Sequence, residues 1–298
     1  MKRMIRIGLW SLTGVCVLAA GVVLVGVLAG ERKGARIVSV PVVSLAYRDD
    51  AQALARGKYL YESRGCMDCH GASGKGRVFI DDPGGLYVRA PNLTSGSAVI
   101  GRYREADWVR AIRHGVAPSG RALMVMPSED YNRLSDDDLG ALVAYVRSLP
   151  PVPGEVAEVR LPWMVRALYG FGLVKDAAEK IDHGLPPARP MTATVSPEYG
   201  AYVANACLGC HGAGLRGGKI PGAPPDWPPA ADLTPAGSAM ARYDAPEKFV
   251  GMMRSGLRPD GSPVSRVMPF DSFGRMDDVD LGALYLHLKA LPAQSASR

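Results

Sequence analysis

The sequence predicts an all-α protein with two tandem domains behind an N-terminal transmembrane helix. Three observations lead to this prediction: an uncharged N-terminal run of 24 residues, an internal repeat, and amphipathic helical patterns without convincing strand alternation. The length of 298 residues agrees with it, since a domain has roughly 150 residues. The predicted fold is therefore helical, with one anchor and two similar units.

Composition indicates a loop-rich globular protein and argues against nucleic-acid binding. Hydrophobic residues make up 47% of the chain, which is enough for a buried core, while 35 glycines and 24 prolines indicate many loops. The net charge of +6 is spread along the chain, without the clustered lysines and arginines of a nucleic-acid-binding face. We expect a globular protein that does not bind nucleic acid.

The N-terminal run extends from Ile7 to Gly30 and has basic residues on both sides. A bilayer-spanning helix needs about 20 apolar residues, whereas the apolar core of a cleaved secretion signal has about 7–15. Residues 1–33 are therefore predicted to be an uncleaved signal anchor, followed by a linker at 34–49. A cleaved signal remains the alternative, because the small residues Ala29 and Gly30 lie near the expected cleavage point.

Four of the five cysteines form one short pattern twice. The copies are Cys66-Met67-Asp68-Cys69-His70 and Cys207-Leu208-Gly209-Cys210-His211. The spacing C-x-x-C-H is the attachment signal of c-type haem: two thiols form thioethers, and the histidine supplies an axial imidazole. The sequence thus predicts two covalently attached haem c groups, bound by Cys66, Cys69 and His70 and by Cys207, Cys210 and His211.

Other uses of paired cysteines fit the spacing less well. A zinc ribbon has its two pairs about 15–20 residues apart, but 138 positions separate Cys69 from Cys207. A thioredoxin-like motif opens a helix in a βαβ pattern, and no such pattern surrounds either pair.

The internal repeat selects the second axial ligands. Matched sequences include Asn92-Leu93-Thr94 with Asp232-Leu233-Thr234, and Val125-Met126-Pro127 with Val267-Met268-Pro269. The intervals from histidine to methionine are 56 and 57 positions. Met126 and Met268 are therefore predicted to bind iron opposite His70 and His211. Met124 has Arg266 as its counterpart and is interpreted as packing.

The other histidines have no equivalent partner in the repeat. His114 matches Ser255, His287 matches Tyr145, and His183 lies outside both copies. All three are interpreted as surface or packing residues, and no catalytic residue is predicted.

Helices are predicted at matching places in both copies. One precedes each cysteine motif, a second covers 104–114 and 246–255, and a third follows Ser135, whose hydroxyl and the acidic turn Asp136–Asp138 suit a helix N-terminus. The predicted domains are residues 50–152 and 193–298. Between them lies a linker, 153–192, with an apolar middle at 161–174. We interpret this middle as a short amphipathic helix packed between the domains, or alternatively as a helix on the membrane or a partner subunit.

With both copies described, the chain resembles class I c-type cytochromes repeated twice. It is similar from about Asp50 onward to the dihaem and multihaem cytochrome c subunits of bacterial membrane-bound dehydrogenases. The resemblance rests on C-x-x-C-H, Met-Pro and the Leu-Ser-Asp-x-Asp-Leu helix. It implies two tandem class I cytochrome c domains and redox protein partners: a dehydrogenase subunit, another cytochrome or a terminal oxidase.

The expected function is electron transfer rather than catalysis. A membrane-anchored dihaem cytochrome would carry electrons from a periplasmic or membrane dehydrogenase, or another quinol-oxidising partner, to a downstream respiratory acceptor. Because c-type haem is attached outside the cytoplasm, we expect the anchor in the bacterial inner membrane and the haem domains in the periplasm. The alternative is a dihaem redox enzyme of the peroxidase or thiosulfate-oxidising type, which needs one iron that is open or unusually ligated.

Overall fold

The computed structural model describes residues 2–220, 222–224 and 226–292. Met1 and residues 293–298, which belong to the predicted anchor and second domain, lie outside the described residues. The described chain is mostly helical. Its helices are α1 (Lys2–Ala35), α2 (Ala51–Ser63), α3 (Cys66–His70), α4 (Glu105–His114), α5 (Asp136–Ser148), α6 (Trp163–Gly170), α7 (Pro197–Val203), α8 (Leu208–His211), α9 (Ser238–Ala241), α10 (Pro246–Ser255), α11 (Phe270–Phe273) and α12 (Asp278–Ala290). Short 3₁₀ turns occupy Ile100–Arg102, Ser128–Asp130, Ala178–Lys180 and Ala204–Cys207.

Helix α1 contains the predicted apolar run. Among the described residues it is the one helix long and apolar enough to cross a membrane: Leu9–Ala35 spans 27 residues with a mean hydropathy of 2.6. Only 6% of its apolar window is buried within the protein. This length and composition are those of a membrane anchor or a signal sequence.

The predicted helices around the cysteine motifs are confirmed. Helix α2 begins after Asp50, whose carboxylate accepts a hydrogen bond from the Ala53 backbone N–H. Helix α5 begins after Ser135, whose hydroxyl accepts from the Asp138 backbone N–H at 3.2 Å. Such caps satisfy backbone donors that the first helical turn leaves unpaired.

Two helix pairs cross at equivalent glycines. A Cβ atom on Gly57 of α2 would lie 2.0 Å from the Ala141 carbonyl oxygen of α5, and one on Gly200 of α7 would lie 2.0 Å from the Ala283 carbonyl oxygen of α12. Only glycine permits so close a backbone approach. The first and third helices of each copy therefore pack together in the same way.

Two clusters of buried apolar side chains form the core. One lies in residues 51–149, here the first segment, and the other in residues 196–291, here the second segment. Both are built on the crossing helices and the helix between them. Their fully buried members include Leu60, Tyr61, Val109, Leu139 and Val143 in the first segment, and Tyr199, Val203, Met240, Met276 and Leu281 in the second.

The prediction of a purely α-helical chain was wrong in one place. Three short antiparallel strands, β1 (Val78–Asp81), β2 (Tyr87–Arg89) and β3 (Glu158–Arg160), form a sheet in the order β1-β2-β3. Strands β1 and β2 are joined by a turn that includes Gly85 at φ 90°, whereas β3 comes from the linker and pairs Val159 with Val88. Strands of three or four residues are too short to show alternation, so the sequence pattern missed them.

The preferred interpretation of the linker helix was also wrong. Helix α6 forms where a short helix was predicted, but it packs against α1 rather than between the two segments. Helix α6 packs there because Gly26 and Gly30 of α1 leave room for a close approach of the two helices.

Candidate haem sites

The first C-x-x-C-H motif forms one short helix, and the second runs from Cys207, at the end of a 3₁₀ turn, through the short helix that follows. Helix α3 runs from Cys66 to His70 and is followed by Gly71 at φ 73°; α8 ends at His211 and is followed by Gly212 at φ 74°. None of the five cysteines forms a disulfide. Both motifs therefore present two unpaired thiols and an imidazole within one short stretch, as covalent haem attachment requires.

A backbone carbonyl orients each motif histidine. Nδ1 of His70 lies 3.0 Å from the Pro91 carbonyl oxygen, and Nδ1 of His211 lies 2.8 Å from the Ala231 carbonyl oxygen. Since a carbonyl only accepts hydrogen bonds, Nδ1 carries the proton, and Nε2 keeps its lone pair for a metal. Burial lowers the pKa of both histidines, which favours the neutral imidazole that binds iron.

The orienting carbonyls reach the histidines through a matched loop. The N–H of Gly76 donates to the His70 carbonyl at 2.8 Å, and the N–H of Gly217 donates to the His211 carbonyl at 2.9 Å. Further along, Thr94 donates to the Asn92 side chain, and Thr234 donates to the Asp232 side chain. Sequence reasoning missed the two carbonyls, although the matched Asn-Leu-Thr and Asp-Leu-Thr sequences beside them were the signal.

The predicted methionine ligands lie in matching turns. Met126 packs against the first core together with Cys66, and Met268 packs against the second core together with Cys207. The prolines that follow have nearly equal backbone angles, φ −79° and ψ 65° at Pro127 against φ −81° and ψ 71° at Pro269. Among the described side chains packed on the first core, Met126 is present and Met124 is not.

The remaining histidines lie elsewhere. Nδ1 of His114 is 3.1 Å from Nδ1 of His183, a pairing that the sequence did not suggest. Burial lowers the pKa of His114 to about 4, with a further contribution from His183. The Cβ atom of His287 lies against Gly200 at the crossing of α7 and α12.

The two segments exchange tyrosine–aspartate hydrogen bonds. Tyr59 of the first segment donates to Asp280 of the second at 2.5 Å, and Tyr202 of the second donates to Asp138 of the first at 2.6 Å. Both tyrosine hydroxyls also accept a backbone N–H at the start of the opposite helix, from Asp277 at 3.0 Å and from Ser135 at 3.3 Å. Tyr59 and Tyr202 are equivalent in the repeat, as are Asp138 and Asp280, so the exchange is reciprocal.

Arginines neutralise both carboxylates. Arg64 lies 2.5 Å from Asp280, with side-chain exposures of 5% and 1%. Arg56 forms two hydrogen bonds of 2.8 Å to Asp138 and is more exposed. Burial by itself would raise the pKa of both aspartates, but the arginines and tyrosines outweigh it and hold the pKa of each below its ordinary value. Neither arginine was identified from the sequence.

The second motif also touches the first segment directly. The backbone N–H of Gly209, between Cys207 and Cys210, donates to the Asp130 carboxylate at 2.5 Å. Asp130 belongs to the turn just after Met126-Pro127. The second cysteine motif and the first methionine turn are therefore neighbours across the contact between segments.

The donor set in each segment fits a c-type haem. It combines two free thiols, an imidazole whose Nε2 is unused, and a methionine thioether packed on the same core as the motif. No group of three or more histidine, cysteine, aspartate or glutamate side chains elsewhere in the described residues is arranged to hold a metal ion.

Comparison with known proteins points to the same chemistry. Residues 52–146 match the family model described as cytochrome c oxidase, cbb3-type, subunit III. The chain is 32% identical over 136 residues to the fructose dehydrogenase cytochrome subunit of Gluconobacter japonicus, and 35% identical over 135 residues to the gluconate 2-dehydrogenase cytochrome c subunit of Pantoea cypripedii. These matches cover 42% and 41% of this chain, but only 27% and 30% of those relatives.

A longer match extends over both cysteine motifs. The cytochrome c subunit of the quinone alcohol dehydrogenase of Gluconobacter oxydans is 26% identical over an alignment of 275 residues. The match covers 82% of this chain and 56% of that protein. The chain thus spans less than two thirds of the length of these relatives. Residues 52–146 are a c-type cytochrome domain, of the family that binds haem c covalently, in a chain whose relatives are cytochrome subunits of dehydrogenases.

Proposed function

We propose that the chain is a membrane-anchored dihaem c-type cytochrome that transfers electrons. In this proposal Cys66, Cys69 and His70 hold one haem and Cys207, Cys210 and His211 hold the other. Met126 and Met268 supply the sixth ligands. The observation that carries the proposal is the repeated orientation of the histidines, with Nδ1 bound to a carbonyl at 3.0 Å and 2.8 Å.

We also propose that residues 50–152 and 193–298 are two tandem class I cytochrome c domains. Supporting this, the segments have separate cores, the same glycine crossing and the same loop behind the motif histidine. One family match covers only residues 52–146, so the second domain rests on these parallels.

The protein's own residues set the chemistry of each site. A haem bound there supplies an iron that gains and loses one electron. The carbonyls of Pro91 and Ala231 fix the tautomer of the two histidines, and the methionine thioethers would favour the ferrous state over the ferric state. A histidine and a methionine that both bind the iron would leave it no free coordination position for a substrate, which favours electron transfer over catalysis.

The proposal also includes a membrane anchor and a cellular location. Helix α1 would span the bacterial inner membrane, with residues 31–298 in the periplasm. The packing of α6 on α1 supports retention of the helix over cleavage as a signal, since cleavage would uncover the α6 surface. The relatives suggest that a dehydrogenase subunit donates the electrons, and that another cytochrome or a terminal oxidase accepts them.

The ligand assignment is tested by paired methionine substitutions. We expect the ferric protein to show the weak far-red sulfur-to-iron absorption band with an intensity for two irons. Met126→Ala should remove half of this band and let one iron bind cyanide quickly, and Met268→Ala should do the same for the other. Met124→Ala is the matched control and should leave the band unchanged.

Two results would contradict the proposal. A denatured-protein mass that includes fewer than two haems would refute the dihaem count. A full far-red band in Met126→Ala, or its loss in Met124→Ala, would refute the ligand assignment and bring the enzymatic alternative forward.

A further inference from the structure

The linker helix α6 packs tightly on the last turns of α1. A Cβ on Gly30 would lie 2.2 Å from the Arg166 carbonyl oxygen, and a Cβ on Gly170 would lie 2.1 Å from the Gly26 carbonyl oxygen. Gly26 and Gly30 are four residues apart and share one face of α1, the small-residue spacing that lets helices approach closely in membranes. Helix α6 is therefore fixed to the end of the apolar helix.

Charged residues mark where the apolar part of α1 ends. Lys33 donates to the Tyr169 carbonyl at 3.0 Å and lies 2.9 Å from Glu179. Arg36 forms a pair of bonds to Asp176, at 2.6 Å and 3.0 Å. Glu31 is the first charge after the apolar run. These contacts place the aqueous boundary of α1 near residue 31.

One large apolar side chain of the linker, Phe171, lies on the membrane side of that boundary, and other apolar side chains near it are exposed. The Phe171 ring lies against Gly26, where its Cε2 atom would be 2.5 Å from an added Cβ. Gly26 precedes Glu31 by five residues, which is about 7.5 Å along a helix. Exposed fractions in the same stretch are 48% for Phe171, 70% for Leu173, 53% for Trp163 and 56% for Met164.

We propose that residues 163–173 form an interfacial collar that inserts into the lipid bilayer around the end of α1. The depth of Phe171 matches the roughly 5–10 Å to which interfacial helices enter the boundary between headgroups and acyl chains. Arg166, which lies within this stretch and pairs with Glu31 at 3.3 Å, and the exposed Lys175 just after it are basic, as are residues in helices that bind anionic headgroups.

We assign lipid, rather than a protein subunit, as the material that covers the collar, because the collar is continuous with the exposed apolar surface of α1. Helix α1 exposes its own apolar side chains, such as Val22 at 58% and Val25 at 61%, up to the level where α6 begins. A bilayer around α1 at the depth of Gly26 necessarily meets Phe171 as well. This inference rests on the proposed membrane anchor, and its test separates the two.

The test uses the full chain with both haems in liposomes that contain anionic lipid. In a Cys16→Ala background, a nitroxide is attached at Leu173→Cys, and collisions with oxygen and with a water-soluble nickel complex are measured. We expect oxygen to collide severalfold more often than nickel. The matched control is Leu257→Cys, an apolar site 46% exposed in the second segment, where nickel should dominate. A label at Phe171→Cys, at the depth of Gly26, gives an independent second position.

The outcomes are distinct. If the label at 173 meets nickel as often as the label at 257 while the protein still floats with the liposomes, the collar is refuted and the anchor stands. If the protein does not float with the liposomes, both the proposed membrane anchor and the proposed collar are refuted.

A second pair of variants tests the contact that holds the collar. Gly30→Ala places a methyl group against the Arg166 carbonyl and should shift the label at 173 toward nickel accessibility. Gly21→Ala, on the same helix with nothing within 4 Å, should leave it in lipid. Equal accessibility in both variants would contradict the proposed role of the α1–α6 contact in positioning the collar.

Discussion

The two tyrosine–aspartate contacts between the segments use equivalent residues but are neutralised differently. Asp280 receives its arginine, Arg64, from the other segment, and both side chains are almost fully buried. Asp138 receives Arg56 from its own segment, and that arginine is 30% exposed. Each segment donates one tyrosine hydrogen bond to an aspartate of the other, whereas the arginines that neutralise the two aspartates both belong to the first segment.

The difference comes from the stretch before the cysteine motif. Nine positions separate Gly57 from Cys66, but only seven separate Gly200 from Cys207, and the longer first copy contains Arg64. Position 56 is an arginine, while its counterpart in the second copy is Tyr199. The first segment thus supplies both positive charges, which shows that a repeated fold can keep one pattern of hydrogen bonds while its halves take different electrostatic roles.

The largest expected effect is the loss of Asp280. Asp280→Ala leaves the Arg64 guanidinium buried without a carboxylate, and removing one partner of a buried pair costs about 3–5 kcal/mol. The free energy of unfolding, from denaturant titration of the haem-loaded protein, should fall by that amount. Asp278→Ala is the control: its exposed pair with Arg254 is a surface pair, and its loss should cost at most about 1 kcal/mol.

A double replacement sharpens that result. Arg64→Leu combined with Asp280→Leu removes both charges, so most of the lost stability should return. If the double variant is as unstable as Asp280→Ala, the cost does not come from the unpaired arginine.

A smaller effect is expected at the equivalent aspartate. Asp138→Ala removes the acceptor of Tyr202 and Arg56, but Arg56 reaches water, so we expect a loss of about 2 kcal/mol. The neighbouring Asp137 is exposed, and Asp137→Ala should have little effect in the same titration. A loss at Asp138 as large as that at Asp280 would show that the exposure of the arginine is not what distinguishes the two contacts.

Removal of either tyrosine hydroxyl should have a nearly equal effect. Tyr59→Phe and Tyr202→Phe each delete one hydrogen bond to a charged acceptor and one from a backbone N–H, and each keeps the ring, so each should cost about 2 kcal/mol. Thermal unfolding of the two variants at one pH measures both values. Strongly unequal losses would contradict the equivalence of the two hydrogen bonds.

The smallest effect is a dependence of stability on pH. The pKa values of Asp138 and Asp280 in the folded protein lie below the ordinary value of 3.8. Their contribution to stability is therefore complete above about pH 4 and is lost as the pH falls through the folded-state pKa. Asp280→Asn should be less stable than the natural chain at pH 7, and its melting temperature should fall less steeply in acid. Parallel curves for the two proteins would contradict a depressed pKa at Asp280.

Local patterns predicted the helices around the cysteine motifs well. Ser135 and the acidic turn after it marked the start of α5 because capping depends on residues a few positions apart. The cysteines and histidine of each motif fall on one short helical stretch for the same reason. The roles of Met126 and Met268 as iron ligands remain predictions, which the methionine variants test.

Contacts between distant residues were not predictable from the same patterns. Strand β3 pairs with β2, although β3 follows the first segment in the sequence. Helix α6 packs on α1, although more than 130 sequence positions separate their contacting residues. Nothing in the sequence around Arg64 indicates that it is buried and paired, because its partner Asp280 lies in the other segment. Such pairings depend on the three-dimensional approach of elements that no short sequence window contains.

The reciprocal exchange of tyrosines also bears on self-association. A contact in which each half gives the other the same group is isologous, as in a two-fold dimer, and it uses both complementary surfaces at once. A head-to-tail contact would leave one surface open at each end, where further copies add and filaments grow. Here Tyr59, Tyr202, Asp138 and Asp280 are all engaged within one chain, so this surface is closed and offers no open edge for polymerisation.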